Sequence, residues 1–201
     1  MGDLMIYAKS NPPESLEEHT QKTLGECELL RQHYAGALSD YEWEMLYFAA
    51  ESHDLGKLDK KFQNKITGWI NGKSVREESI PHGFLSCAMI NKENFNNRFK
   101  DQKDKNAIFM AVMFHHDRGK FKYCHDEIEA YVLKNLWENG GKYSFKGYKL
   151  PEKPYLKYIS LREPQNVNFT NRYIKIKGLL NKADYCASAG VDIEVPAEYN
   201  G

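Results

Sequence analysis

Histidine and aspartate side chains suited to metal binding occur at five places along this 201-residue chain. In chain order they are His19, His53-Asp54, His82, His115-His116 and Asp184. Any one histidine taken alone is more often a packed or surface residue than a ligand. Imidazole nitrogens and carboxylate oxygens together suit divalent transition metals. The set as a whole therefore predicts a metal centre.

The segment His53-Asp54-Leu55-Gly56-Lys57 is the most informative part of this set. His53 offers a neutral nitrogen and Asp54 an anionic oxygen from one short piece of backbone. Because a carboxylate has two oxygens, Asp54 can bridge two cations, whereas an imidazole binds only one. Gly56 lets the chain turn away, and Lys57 places a cation suited to a phosphate oxygen. We therefore predict catalytic roles for Asp54 and Lys57, with a simple surface lysine as the alternative for Lys57.

Most of the chain predicts helices joined by short loops, so the expected fold class is all-α. Capping boxes at Ser15–Glu18 and Ser39–Glu42 open two helices, and the second should end near Asp54 with Gly56 as a left-handed cap. Further helices are expected over about 60–69, from about 80, and over 104–116, 126–138 and 170–190. The proline-containing stretch of about 142–168 predicts a long loop or small hairpin. The alternation of apolar and lysine residues in Tyr173–Lys177 would also fit a strand. His19 then lies within a helix and the other four histidines lie at helix ends, where they can converge on one cleft.

The composition is that of an ordinary globular protein, with 41% hydrophobic and 28% charged residues, and predicts one domain over 1–201. The longest apolar run, Ala107–Phe114, is far too short for a membrane span, and the N-terminus lacks a signal-peptide pattern. Four scattered cysteines without a CxxC pair suit reduced thiols in the cytoplasm. We therefore expect a cytoplasmic protein without a membrane partner.

The charge is distributed unevenly although the net charge is zero. Residues 1–60 carry 5 basic and 12 acidic side chains, whereas 141–182 carry 10 basic and 2 acidic ones. The basic aromatic segment, 141–182, could hold a polyanion and stack its bases. Its aromatic residues are Tyr143, Phe145, Tyr148, Tyr155, Tyr158, Phe169 and Tyr173. A solvated lysine-rich surface with a few core aromatics is the alternative, and charge alone favours it.

The order of the motifs resembles the HD superfamily, and more narrowly the HD nuclease domain of the CRISPR-associated nuclease–helicase of type I systems. The resemblance runs from His19 through His53-Asp54-x-Gly56-Lys57, His82-Gly83 and His115-His116 to Ala183-Asp184, which is nearly the whole chain. It implies an HD-domain helical bundle. It also implies that His19, His53, Asp54 and Asp184 hold one metal ion, and that Asp54, His82, His115 and His116 hold a second.

The mixed ligand set favours Mn, Fe, Co, Ni or Zn over Mg, which prefers oxygen ligands. Two such ions can activate water and clamp a phosphodiester for hydrolysis. The resemblance implies single-stranded DNA as the substrate and antiviral CRISPR defence as the setting. It further implies a helicase, as a subunit or a domain, and the CRISPR RNA-guided surveillance complex as partners.

Two other functions compete with the nuclease. An HD phosphohydrolase acting on a nucleotide or a cyclic dinucleotide would share the H…HD…D core. The cyclic-dinucleotide branch follows its histidine pair with Gly-Tyr-Pro, whereas Asp117-Arg118-Gly119 follows here, and mononuclear nucleotidases lack His82 and the later pair. A non-catalytic helical module is disfavoured because all seven predicted ligands are present.

Asp117 and Arg118 could orient an imidazole or form a solvated turn, and His33 and His125 match no motif.

Overall fold

The computed structural model describes residues 5–76, 79–116, 125–138, 144–145, 148–149, 151–158 and 167–193. Over these residues the chain is mostly helical, so the all-α prediction is confirmed. The helices are α1 (Leu16–His33), α2 (Asp40–Ser52), α3 (Lys60–Ile70), α4 (His82–Met89), α5 (Lys92–Arg98), α6 (Gln102–Met113), α7 (His125–Tyr131) and α8 (Val167–Ala189). Short 3-10 turns occur at Ala35–Ala37, Leu55–Leu58 and Leu156–Tyr158, and a π-helical turn, Val132–Glu138, continues α7. None of the described helices is both long and apolar enough to cross a membrane.

Two short antiparallel hairpins accompany the helices. Strands β1 (Tyr7–Ser10) and β2 (Pro13–Ser15) pair with Lys9 opposite Glu14, and this hairpin leads directly into α1. Strands β3 (Ser144–Phe145) and β4 (Tyr148–Lys149) pair with Phe145 opposite Tyr148. The second pair confirms the predicted hairpin after residue 142, whereas the first pair was not predicted.

Both predicted capping boxes are present. The Ser15 hydroxyl accepts a hydrogen bond from the Glu18 amide at 3.1 Å, and the Glu18 carboxylate accepts one from the Ser15 amide at 3.0 Å. Ser39 and Glu42 form the same reciprocal pair at 3.3 and 2.9 Å. These bonds satisfy amides that a helix start leaves without partners, so α1 and α2 begin where the sequence predicts.

The last helix includes Tyr173–Lys177, the segment for which a strand was the alternative prediction. Tyr173, Ile176 and Leu180 are buried at helical spacing within α8, so the alternation of apolar and lysine residues reflects one face of a helix. The helix begins at Val167, three residues before the predicted start. Its packing against α1, α2 and α6 brings Asp184 into the bundle.

Helix α6 differs from its predicted span of 104–116. It begins at Gln102 because the Asp101 carboxylate accepts hydrogen bonds from the amides of Lys103 and Asp104, at 2.6 and 3.4 Å. It ends at Met113. His115 and His116 therefore follow the helix in a turn instead of forming its last residues.

Gly56 is not the left-handed cap that the sequence predicts. Helix α2 ends at Ser52, and Gly56 lies in the 3-10 turn Leu55–Leu58. Among the described glycines, only Gly72 and Gly190 have a positive φ. Position 56 requires glycine for a different reason, because a Cβ there would lie 2.0 Å from the His82 carbonyl oxygen. The turn and the start of α4 are thus in backbone contact.

The core contains a group of packed aromatic rings. Phe95 has ring-centroid distances of 5.0 Å to Phe48, 5.4 Å to Phe99 and 5.0 Å to Phe109. Tyr155 packs on the same group, 5.2 Å from Phe109, and is buried, as is Tyr173. Two aromatics of the basic aromatic segment therefore belong to the core and cannot stack bases. The side chains of Tyr143, Phe145, Tyr148, Tyr158 and Phe169 lie outside the described part of the chain.

The cysteines agree with the expectation of reduced thiols. Cys27, Cys87 and Cys186 are free, and the first two are buried. Burial raises the pKa of the Cys27 thiol to about 12, because a thiolate would lose its hydration in the core. Cys124 lies outside the described residues.

Candidate metal centre

Asp54 lies at the centre of a buried cluster formed by the predicted metal ligands. It directly follows His53, the residue at the end of α2, and precedes the turn Leu55–Leu58. His19 comes from α1, His82 from the first position of α4 and Asp184 from α8. His115 and His116 follow α6. The packing of these helices therefore brings together all seven side chains proposed from the sequence.

The two carboxylate oxygens of Asp54 face different histidines. Oδ2 lies 3.3 Å from His19 Nε2 and 3.5 Å from His53 Nε2. Oδ1 lies 3.1 Å from His82 Nε2 and 3.7 Å from His115 Nε2. Asp54 thus stands between two groups of imidazole nitrogens, which is the arrangement required of a ligand that bridges two cations.

Asp184 also contacts both groups of histidines. Its Oδ1 lies 3.0 Å from His19 Nε2 and 3.7 Å from His53 Nε2. Its Oδ2 lies 3.7 Å from His116 Nε2. Three sets of side chains have ligand atoms within 4.8 Å of one another. They are Asp54 with His82, His115 and His116; His19 with His53 and Asp54; and His53 with His115 and Asp184.

Backbone carbonyls fix the tautomers of two histidines in the cluster. His53 Nδ1 lies 2.8 Å from the Ala50 oxygen, and His115 Nδ1 lies 2.6 Å from the Val112 oxygen. Because a carbonyl only accepts a hydrogen bond, each Nδ1 carries the proton and donates it. In the neutral rings the two Nε2 atoms therefore carry lone pairs, and both lone pairs face the cluster. Holding the ring of a metal-binding histidine through its other nitrogen is a common feature of such sites.

Several polar atoms of the cluster are buried without a regular hydrogen bond among the described residues. These atoms are His19 Nδ1, His53 Nε2 and both carboxylate oxygens of Asp54, of which Oδ2 also forms an ion pair with Lys57. A buried polar atom without a partner carries a large desolvation cost. Divalent cations on the two sides of Asp54 would satisfy the imidazole lone pair and the two anionic oxygens. The donor set and its unsatisfied atoms therefore fit metal binding.

The electrostatics of the cluster keep most ligands in the form that binds metal. Burial alone would raise the pKa of the Asp54 carboxyl, but the His53 imidazole and the Lys57 ammonium hold it well below its ordinary value. Burial lowers the pKa of His82 to about 3. Burial, together with the neighbouring His115, lowers the pKa of His116 to about 4. At neutral pH, Asp54 is thus an anion and both histidines are neutral.

His19 differs from these ligands. Burial alone would lower its pKa, but hydrogen bonds to Asp184 and Asp54 raise the pKa to about 9. In the metal-free protein at neutral pH, His19 therefore holds a proton between two carboxylates. A cation that binds through His19 Nε2 must displace this proton.

Lys57 is buried beside Asp54 rather than solvated. Only 7% of the residue is exposed, and its Nζ lies 2.6 Å from Asp54 Oδ2. The surface-lysine alternative is therefore wrong. The ammonium lies beside the central carboxylate of the cluster, where it can neutralise negative charge.

Ser86 joins two of the ligand-bearing segments. Its Oγ lies 2.6 Å from the His53 carbonyl oxygen and 2.9 Å from the His82 carbonyl oxygen, and it accepts a hydrogen bond from the Gly56 amide at 2.7 Å. The hydroxyl thereby ties the end of α2 to the start of α4. No motif in the sequence pointed to Ser86, because its role depends on the approach of two backbone segments.

Glu14 is a second residue that the sequence reasoning missed. Its carboxylate lies 3.5 Å from His19 Nδ1, is 5% exposed, and also pairs with Lys9 and Lys22. It lies on β2, with Lys9 of β1 as its cross-strand partner. The only signal for it would have been recognition of the first hairpin, which places Glu14 next to the start of α1.

The remaining histidines and the residues after the pair have no described role in the cluster. His33 is exposed at the end of α1, in agreement with the surface interpretation. The side chain of His125 lies outside the described residues, as do Asp117 and Arg118. Their proposed roles stay predictions.

The family of the chain follows from comparison with known proteins. Neither the curated proteins nor the solved structures contain a match. A family model described as "Cas3, HD domain" matches residues 14–146, about two thirds of the chain. The matched range contains every ligand candidate except Asp184, which α8 brings to the same cluster. The helical bundle is therefore an HD domain, and the chain belongs to the Cas3 HD-domain family.

Proposed function

We propose that the chain is a metal-dependent nuclease that hydrolyses phosphodiester bonds of single-stranded DNA. Membership of the Cas3 HD-domain family implies phosphohydrolase or nuclease activity with divalent cations. The observation that carries the proposal is the position of Asp54, whose two oxygens face two separate groups of histidines. Two cations sharing this carboxylate would be close enough to act on one phosphate.

We assign the first cation to His19, His53, Asp54 and Asp184, and the second to Asp54, His82, His115 and His116. The short distances from His19 Nε2 to Asp54 and Asp184 support the first set. The second set coincides with a group whose ligand atoms lie within 4.8 Å of one another. Five imidazoles with two carboxylates favour Mn, Fe, Co, Ni or Zn over Mg.

Bound cations would supply Lewis acidity toward the phosphate oxygens and toward a water molecule. The chain's own residues would hold and orient the reacting groups. Lys57 would neutralise charge on a non-bridging phosphate oxygen, because its ammonium lies 2.6 Å from Asp54, the carboxylate that both cations would share. His116 would lie on the substrate side, since its side chain is 45% exposed while that of His115 is 1% exposed.

We further propose that the substrate is delivered by a helicase, as a subunit or a domain, and by the RNA-guided surveillance complex of CRISPR defence in the cytoplasm. The family relationship supports this context. The basic aromatic segment gives it weaker support than the sequence suggested, because Tyr155 and Tyr173 are buried.

Incubation of the chain with circular single-stranded DNA in Mn²⁺ or Ni²⁺ tests this proposal. We expect cutting that disappears in EDTA and in Asp54→Ala and Asp54→Asn, the second of which keeps the side-chain shape. Asp192→Asn, which alters an exposed carboxylate outside the cluster, should cut like the wild type. An intact circle with hydrolysis of nucleotides or cyclic dinucleotides would favour a small-molecule phosphohydrolase, and a chain that binds no metal would contradict the central claim.

A further inference from the structure

A cleft opens beside the metal cluster, between the β1–β2 hairpin and α3. Its volume is about 360 Å³, within the ~300–1,000 Å³ typical of ligand sites. Lys57 and His82 line it and also belong to the cluster. A molecule bound in the cleft would therefore lie directly next to a phosphate held at the cluster.

Two aromatic side chains of α3 form one wall of the cleft. Phe62 and Trp69 flank Ile66 at helical spacing, a pattern that usually indicates burial against a core. Ile66 is buried as this pattern predicts, but Trp69 is 48% exposed. The Phe62 ring lies beside His82, with a centroid distance of 5.7 Å. The wall thus leads from a candidate metal ligand to an exposed indole.

The charges around the cleft suit a polyanion. Lys9 and Lys57 are among its lining residues. They are ion-paired with Glu14 and Asp54, neither of which belongs to the part of the lining that the structure describes. Lys65 adds a third cation, with its Nζ over the Trp69 ring at 5.2 Å from the centroid, so a base would stack on the opposite face of the indole. A base stacked on the indole would therefore have ammonium groups close to its phosphates.

The walls of the cleft are held together by Gln63. Its Oε1 accepts a hydrogen bond from the Tyr7 amide at 2.9 Å, and its Nε2 lies 2.9 Å from the Tyr7 carbonyl oxygen. The same Nε2 lies 2.6 Å from the Lys57 carbonyl oxygen. One amide side chain thus connects β1, α3 and the turn after Asp54, so the cleft is formed before any ligand binds.

We propose that this cleft binds a nucleotide flanking the scissile phosphate of a single-stranded polynucleotide, with its base stacked on Trp69. The inference rests on the proposed nuclease function and adds a basis for single-strand selectivity, because only an unpaired base exposes its face to an indole. Stacking on an aromatic side chain contributes ~1–3 kcal/mol per base. That range corresponds to roughly a 5- to 150-fold change in affinity.

The test uses a single-stranded oligothymidylate containing one 5-iodouracil, irradiated in complex with the wild-type chain in EDTA so that no cleavage occurs. We expect the cross-link in the tryptic peptide Ile66–Lys73, which contains Trp69. In anisotropy measurements, Trp69→Ala should raise the Kd by roughly 5- to 150-fold, and Trp69→Phe by less. Leu133→Ala, which removes another exposed apolar side chain, should not change the Kd.

The outcomes separate this inference from the proposed function. The proposal that the cleft binds a nucleotide is contradicted if the wild type does not bind the oligonucleotide. It is also contradicted if the cross-link lies outside this peptide and Trp69→Ala leaves the Kd unchanged. Binding and cross-linking at Trp69 without cleavage in Mn²⁺ or Ni²⁺ would support nucleotide binding in the cleft and contradict the proposed nuclease activity. Thermal unfolding of Trp69→Ala checks its fold, and the wild-type cross-link decides the question without the variant.

Discussion

A Cβ atom on Gly56 would lie 2.0 Å from the carbonyl oxygen of His82, and this backbone contact joins the turn after Asp54 to the start of α4. The contact positions two candidate ligands relative to each other, since Asp54 lies two residues before Gly56 and His82 opens α4. Any side chain at position 56 must separate these segments, because both partners in the contact are backbone.

We predict that Gly56→Ala destabilises the fold and weakens metal binding. Forcing a methyl group into packed structure typically costs ~1–3 kcal/mol of unfolding free energy, and the displacement of His82 should lower the affinity of the second cation more than that of the first. Denaturant unfolding and metal titration check both effects. Gly25→Ala is the matched control, because a Cβ there meets nothing within 4 Å and should stabilise α1 by ~0.5–1 kcal/mol. Equal metal affinity in both variants would contradict the prediction.

The number of bound cations should depend on which ligand is removed. Because Asp54 faces both histidine groups, Asp54→Asn should lose both ions. His19→Ala should keep the ion held by His82 and His115, and His82→Ala should keep the ion held by His19 and His53. Elemental analysis after equilibrium dialysis against Mn²⁺ or Ni²⁺ measures this stoichiometry. Loss of all metal in each histidine variant would instead indicate a single site.

Metal binding should depend on pH through His19. Burial alone would lower the pKa of His19, but Asp184 and Asp54 raise it from 6.5 to about 9. The proton adds stability that is complete below pH 6.5 and is lost as the pH rises through 9. The unfolding free energy of the metal-free chain should therefore fall over this interval. The apparent metal association constant should rise over the same interval, by up to about tenfold per pH unit.

Calorimetric titration between pH 6.5 and 9, with proton release measured in buffers of different ionisation enthalpy, checks this prediction. His19→Gln removes the titrating group and should flatten both trends. An affinity for metal that does not change with pH in this interval would show that His19 is already neutral before the cation binds.

The residues of the cluster could be predicted from the sequence, whereas the residues that position them could not. His53, Asp54 and Lys57 occur in a compact motif, and the other ligands follow in a recognisable order. Ser86 was missed because it acts through a contact between distant segments, and Glu14 was missed because the first hairpin was not predicted. Gly56 was singled out for a turn, but the constraint at that position comes from α4, about 26 residues further along the chain.

The same limit applies to the basic aromatic segment. Composition left open whether residues 141–182 form a surface for bases or a lysine-rich surface with a few core aromatics. The burial of Tyr155 and Tyr173 favours the second alternative for these two residues, and it depends on packing that composition does not encode. Trp69 was not proposed for any role, and its spacing on α3 is that of a core residue. Its exposure depends on the tertiary structure, in which Trp69 lines the cleft between the β1–β2 hairpin and α3.

Glu14 should act as a positioning residue for His19. Its carboxylate lies 3.5 Å from His19 Nδ1 and pairs with Lys9 and Lys22. Loss of such a partner typically lowers metal affinity ~10- to 100-fold, so we expect Glu14→Gln to weaken the first cation within this range and to leave the second nearly unchanged. Competition titrations with a chelating dye measure both constants. Glu44→Gln, at an exposed position on α2, is the control. An equal loss at both sites would point to a general effect on folding.

Lys57 should affect metal binding and catalysis in opposite directions. Its ammonium lies 2.6 Å from Asp54 Oδ2, so it neutralises the carboxylate that both cations require. Lys57→Met keeps the length of the side chain without its charge. We therefore expect tighter metal binding, because less positive charge opposes the incoming cation. We also expect a kcat for DNA hydrolysis lower by ~10²–10³, the usual effect of removing one group that stabilises transition-state charge.

Lys60→Met is the control for this variant, because Lys60 is an exposed lysine three residues further along the chain. Metal titration and single-turnover cleavage at saturating metal separate the two effects. If affinity and rate fall together in Lys57→Met, Lys57 supports the structure of the site and not the reaction. If the rate is unchanged at saturating metal, the cations alone neutralise the charge on the phosphate, and the lysine serves only to compensate Asp54 before they bind.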